Sequence, residues 1–274
     1  MLLDRRAMEK AMSDLGRLLE EQNFSSIDEA NAFLQKITNV KDIPALRREL
    51  TPLEQAQDKM YEAWDAAGKK REKLAREAIE ICPDCADAYV LLAEETARTP
   101  EAAKELYEQG VRAAERALGP EIFQEAVGHF WGAMETRPYM RARAGLAECL
   151  WELGQQQPAI EHYQEMLRLN PGDNQGLRYI LARCLLSVGD DAALGKLLDQ
   201  YPDDAMAEWL YTRALWTFRQ EGATQKANDA LVRAFEQNPF VPIYLLCFKK
   251  MPARPPTYIG FGDENEAVMY VGEN

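Results

Sequence analysis

RARAGLAECLWELGQQQPAIEHYQEMLRLNP, residues 141–171, decides the fold. It reads as two helices joined by a tight turn. Leu146 and Ala147 form a large-small pair in the first helix. Gly154 marks the turn, because a left-handed residue ends a helix most readily when it is glycine. Ala159 and Tyr163 mark the second helix: the alanines let the two rods approach, and the tyrosine fills the space between them. Pro171 has no N–H to donate and closes the unit.

The same frame recurs downstream. EWLYTRALWTFRQEGATQKANDALVRAFEQNP, residues 208–239, places Gly222, Ala227, Leu231, Ala234 and Pro239 in register. Pro171 and Pro239 lie 68 residues apart, two periods of about 34. Between them, residues 176–202 keep Leu181, Ala182 and Gly189, but Tyr201-Pro202 cut the second helix short. Upstream, residues 73–85 end a second helix with Ala75, Ala78 and Pro83 in register. Residues 86–97 read as a first helix and 101–118 as a long second one. A period of 34 with these residue types is the tetratricopeptide pattern. The sequence therefore predicts an all-α, right-handed solenoid of about five helix pairs between Leu53 and Pro239.

Three regions follow: an N-terminal helical cap or module over 1–50, the repeat solenoid over 51–250, and a Pro-rich tail over 251–274. In the first, Met8, Met12, Leu15, Leu18 and Leu19 share a helix face. Ser26-Ile27-Asp28-Glu29 is a capping box that starts a second helix carrying Ala32, Phe33 and Ile37. Residues 119–139 are an aromatic-rich insertion in the solenoid. In the tail, Pro252, Pro255 and Pro256 forbid an early helix. Ala267 to Val271 is a strand, a pad against the last helix, or the start of a further element.

Bulk composition narrows the function. Of 274 residues, 47% are hydrophobic and 28% charged, a globular balance that argues against disorder. A net charge of −13 repels a phosphate backbone, so no nucleic acid is expected as partner. No run reaches the roughly 18 apolar residues a bilayer span needs, and the N-terminus lacks the apolar core of a signal peptide. Five scattered cysteines form no disulfide framework. These features predict a cytoplasmic protein without a membrane partner.

VLLAEETARTPEAAKELYEQGV (90–111) and EQNPFVPIYLL (236–246) resemble the suppressor-of-tumorigenicity-seven family, and the similarity runs from about Leu74 to Tyr258. The resemblance implies a helical repeat domain with no known catalytic residues. Animal members of that family carry membrane-spanning segments near the N-terminus. This chain shows none and looks more like soluble, stand-alone relatives.

In such a repeat the first helix of each pair, helix A, lines the concave face. The frame places Arg141, Ala144, Glu148 and Trp151 there, then Tyr179, Arg183 and Leu186, then Trp209, Thr212, Trp216 and Arg219. Aromatic and Arg side chains are the usual anchors of protein recognition. Arg141, Trp151, Tyr179, Arg183, Trp209, Trp216 and Arg219 are thus candidates for a groove that binds a peptide or protein, with Arg183 and Arg219 reading acidic groups. The blander alternative packs the tryptophans between repeats and pairs the arginines with nearby carboxylates. Phe123, His129, Phe130 and Trp131 form a candidate contact loop, or an aromatic patch that packs on the solenoid.

Other chemistry finds no support. Cys82-Pro83-Asp84-Cys85 is half a zinc site without a second ligand pair, and reads as a helix-ending turn. His129 has no nucleophile and orienting acid arranged around it. Gly260-Phe261-Gly262-Asp263 lacks the lysine of a phosphate loop. No catalytic residue, metal or cofactor is expected. Two functions compete: an interaction scaffold, and a self-associating protein whose tail or cap docks on a neighbouring chain.

Overall fold

The computed structural model describes residues 5–22, 24–35 and 48–273. Among the described residues there are fifteen helices and no strand. They divide into two compact units, residues 1–174 and 175–274. Each is an all-α stack of helix pairs of the tetratricopeptide type.

The first unit holds α1 (Arg5–Gln22), α2 (Ile27–Leu34), α3 (Pro52–Asp65), α4 (Lys69–Ile81), α5 (Ala86–Thr96), α6 (Pro100–Leu118), α7 (Ile122–Glu125), α8 (Arg137–Glu152) and α9 (Gln156–Leu169). α3 pairs with α4, α5 with α6 and α8 with α9, and α4 and α6 link each pair to the next. Local sequence sets the starts. Thr51 and Glu54 exchange side-chain and backbone hydrogen bonds in a full capping box, with Pro52 in the first turn. Thr99 caps α6 ahead of Pro100. Ser26 accepts from the Glu29 N–H as expected, but the Glu29 carboxylate takes the N–H and hydroxyl of Ser25. That frames α2 with one arm of the box displaced by a residue. Ile37, expected on this helix, lies outside the described residues.

Small side chains set the spacing. Ala56, Ala63, Ala75, Ala78 and Ala88 are fully buried where α3, α4 and α5 meet. Gly145 on α8 lies directly beneath the ring of Tyr107 on α6, where a Cβ would collide with the ring. Gly154 ends α8 in the left-handed region at φ +73°. α9 stops at Leu169 and Pro171 follows.

The second unit holds α10 (Leu177–Val188), α11 (Asp191–Gln200), α12 (Ala207–Glu221), α13 (Gln225–Gln237), α14 (Val241–Leu245) and α15 (Glu264–Glu273). α10 pairs with α11 and α12 with α13. α11 ends before Tyr201-Pro202, the shortening that the sequence predicts. Of the three readings for Ala267 to Val271, the pad is the one observed, and it is helical rather than a strand. α15 packs on α12 and α14, with Ala267 and Val268 buried and the Tyr270 ring stacked on Tyr211 at 6.0 Å. The reason is local. Asp263 accepts from the Glu266 N–H at 2.8 Å, an N-terminal cap that outweighs the strand preference of Val268, Tyr270 and Val271. Glu266 is buried and accepts from the Ala207 N–H at the start of α12 and from Asn238.

The His162 imidazole is half-buried in the α8–α9 pair. Burial, and then the charge of Arg143, push the His162 imidazole down to about 4. Its Nδ1 finds no hydrogen-bond partner among the described residues. The unfolded chain binds a proton near pH 6.5, so stability is full above that pH and falls as pH drops towards 4. At pH 5 the loss should be about 1 kcal/mol, less than the full shift implies because the ring is partly solvated. Urea midpoints of wild type and His162→Gln, compared at pH 7 and pH 5, check this. The wild type should lose more on acidification.

Candidate functional site

The strongest constellation in the first unit joins α1 to three A-helices. Arg141 on α8 forks onto Asp87 on α5, with Nε–Oδ1 at 2.7 Å and Nη2–Oδ2 at 2.6 Å. The same guanidinium donates to both carboxylate oxygens of Glu9 on α1, at 3.1 and 3.0 Å. Arg137 approaches Glu9 at 3.5 Å. Gln57 on α3 donates to Asp87 at 2.9 Å. At the other end of α1, Arg17 pairs with Asp58 at 2.9 Å and Glu54 at 3.5 Å, both on α3. Asp87 is fully buried, and Glu9 and Arg17 are nearly so. Charges this deep are tolerated only when paired and hydrogen-bonded.

α1 lies across the A-helices, held to α8 near its N-terminus and to α3 near its C-terminus. Of its apolar face, Leu18 is buried, while Met8 and Met12 are about half exposed. A cavity of about 480 Å³ opens beside α1, lined by Met12, Gly16, Tyr61, Ala114, Leu118 and Pro138 among others. Glu9, Arg17 and Glu54 also line it. Glu54 is held at about 2, chiefly by its hydrogen bond with Arg48.

The repeat frame finds Arg141, but the sequence reading misses its partners. The signal is present all the same. Asp87 and Arg141 both stand five residues before the leucine of their Leu-Ala pair, Leu92-Ala93 and Leu146-Ala147, and Gln57 stands six before Ala63 in the same register. Adjacent repeats thus carry an amide, an acid and a base at one equivalent position. Glu9 and Arg17 lie outside any repeat.

Trp151, the other candidate of this unit, is half-buried near the end of α8. In the second unit Trp209 is a correction: it is fully buried, so it is not a groove residue. Its Nε1 donates to the Tyr201 carbonyl at 2.9 Å, and Tyr179 and Tyr201 meet its ring edge-on at 5.8 and 5.9 Å. Tyr179 donates its hydroxyl to Asp204 at 2.8 Å, and burial, with Asp204 next, raises its pKa. Arg183 pairs with Glu208 at 2.7 Å and Arg219 with Asp191 at 3.3 Å. Trp216 lies over Gly195 and donates to the Asp191 carbonyl at 2.7 Å. Pairing with the chain's own carboxylates, the blander alternative, is thus what both arginines show.

In the insertion, the backbone N–H groups of Gly128 and Phe130 donate to the Leu169 carbonyl, tying the loop to the end of α9. Phe130 is a second correction. It is fully buried against Phe123 and Tyr139, with ring centroids at 5.4 and 5.7 Å, so it packs rather than presents itself. His129 is exposed and Trp131 half-buried, the latter facing the Arg137 guanidinium at 5.3 Å. The insertion ends earlier than Tyr139, because Pro138 in its first turn lets α8 start at Arg137. Cys82 closes α4 and Cys85 precedes α5, with the Cys85 N–H donating to the Cys82 carbonyl at 3.1 Å: a helix-to-helix turn.

No described helix is long and apolar enough to cross a membrane. Comparison with known proteins gives three kinds of likeness. Suppressor of tumorigenicity 7 protein-like of Rattus norvegicus is 30% identical over 234 residues, covering 77% of this chain and 42% of the relative. Protein ST7 homolog of Caenorhabditis elegans is 28% identical over 256 residues, covering 77% of this chain and 46% of that protein. The chain thus spans less than half the length of these relatives. Among solved structures, YrrB, described as a TPR protein with an unusual peptide-binding site, is 19% identical with a TM-score of 0.44, over 75% of this chain and 91% of that one. The model of the ST7 protein family matches residues 48–220, well over half of the sequence and all the pairs from α3 to α11. On that match, the chain belongs to the ST7 protein family.

Proposed function

We propose that the chain is a protein-interaction scaffold that binds a peptide or protein partner along its A-helices and catalyses no reaction. One observation carries the reading. The A-helix face of the first unit already holds a helix, α1, by charge pairs to α3 and α8, the latter through an arginine shared with Asp87 on α5. A face that takes one amphipathic helix has the shape and charge to take another. Arg141, Trp151, Tyr179, Arg183, Trp216 and Arg219 are its contact residues, each within its own unit. Trp209 supports Tyr179 from beneath. Arg183 pairs with Glu208 and Arg219 with Asp191, carboxylates that a partner's acidic groups would replace. The experiment that tests the reading is cross-linking from position 151, where a photoreactive phenylalanine should capture the partner.

Self-association through the tail has less support. Val268 and Tyr270, two of the apolar residues it would use, are taken up on α12 of the same chain. Tyr258, Ile259 and Phe261 are exposed.

A further inference from the structure

We infer that the A-helix face of the first unit is a receptor for an amphipathic helix of defined chemistry, and that α1 is a built-in occupant which such a helix displaces. This rests on the scaffold reading and names the partner class. The ligand is a helix from another protein with a carboxylate at one position, a cation two turns further on and a large apolar residue beside the cation. α1 supplies that pattern as Glu9, Arg17 and Leu18.

Three features separate α1 from an ordinary core helix. Its hold is mostly electrostatic: Glu9 on Arg141 and Arg137, Arg17 on Asp58 and Glu54, with Leu18 the one fully buried apolar side chain among its described residues. Its fit is incomplete. Met8 and Met12 are exposed, and the cavity of about 480 Å³ runs along its Met12–Gly16 side. The site is also sound without it. Arg141 retains its two hydrogen bonds to Asp87, and Asp87 retains Gln57, so departure of Glu9 leaves no buried charge alone. A better-filling helix gains the cavity's apolar walls while keeping the fork on Arg141. α1, being tethered, competes at an effective concentration on the order of millimolar. The wild-type face is therefore closed to weak ligands and open to strong ones.

The test uses the full chain and a fluorescent peptide of residues 5–22 as the probe. Glu9→Lys with Leu18→Asp should release α1 and leave every stack residue unchanged. The released chain should bind the peptide at least about tenfold more tightly than the wild type does. A peptide bearing Glu9→Lys should bind neither. Equal affinity for wild-type and released chains would overturn the inference, as would peptide binding indifferent to Glu9. Circular dichroism of the released chain confirms that the stack is intact. Amide exchange on the wild type needs no variant: α1 should exchange at least about tenfold faster than α8, since it leaves without unfolding the stack. Equal protection would overturn the inference. So would a solution mass showing a dimer that exchanges α1 between copies. A failed peptide test with a partner still cross-linked from position 151 would sink α1 as occupant and spare the scaffold. Success here with no partner at 151 would keep α1 as occupant and remove position 151 from the contact surface.

Discussion

Arg141→Ala should cost about 3–5 kcal/mol of folding stability, far more than an exposed arginine would. The guanidinium is the common partner of Asp87 and Glu9. Asp87 has no solvent exposure, so without Arg141 its charge keeps, among the described residues, the Gln57 amide alone. Burying a carboxylate without a cation carries the full desolvation cost. Urea denaturation gives the value. The double variant Arg141→Met/Asp87→Leu should recover most of the loss, because it removes the stranded charge with its partner. A single-variant loss below about 1 kcal/mol would mean that water or another residue satisfies Asp87.

Trp209→Ala should be equally severe, at about 3–5 kcal/mol. The indole is fully buried and wedged edge-on between Tyr179 and Tyr201, and its N–H has one acceptor, the Tyr201 carbonyl. Trp209→Phe keeps most of the packing and loses the hydrogen bond, so it should cost about 1–2 kcal/mol. The pair separates packing from polar pairing, and thermal or urea unfolding reads both. A mild Trp209→Ala would return Trp209 to the list of surface anchors.

The helix pairs are legible because each is coded locally. Gly154, Pro171, Pro239 and the alanines act within one turn or one contact, and their 34-residue phase repeats that code. The site is legible only in part. Arg141 is found by its frame, but its partners are Glu9, 132 residues away, and Asp87, 54 away. Periodicity says that residues 8–19 form an amphipathic helix; it does not say which face that helix lies on. Trp209 takes its groove position from the repeat frame, but Tyr179 and Tyr201 cover it, because an aromatic at helical spacing fits a groove or a core equally well. For Phe130 the insertion's composition leaves a contact loop and a packing patch open, and Phe123 and Tyr139 enclose it as the patch. For α15 the Asp263–Glu266 cap stood in the sequence, and the strand-forming residues after it obscured it.

The proposed partner site is the A-helix face. The direct measurement is photocross-linking in source-cell lysate with a photoreactive phenylalanine at position 151, compared with position 235 on the exposed side of α13. A discrete adduct is expected from 151 and none from 235. Adducts from 235 alone, or the same adducts from both positions, would contradict it.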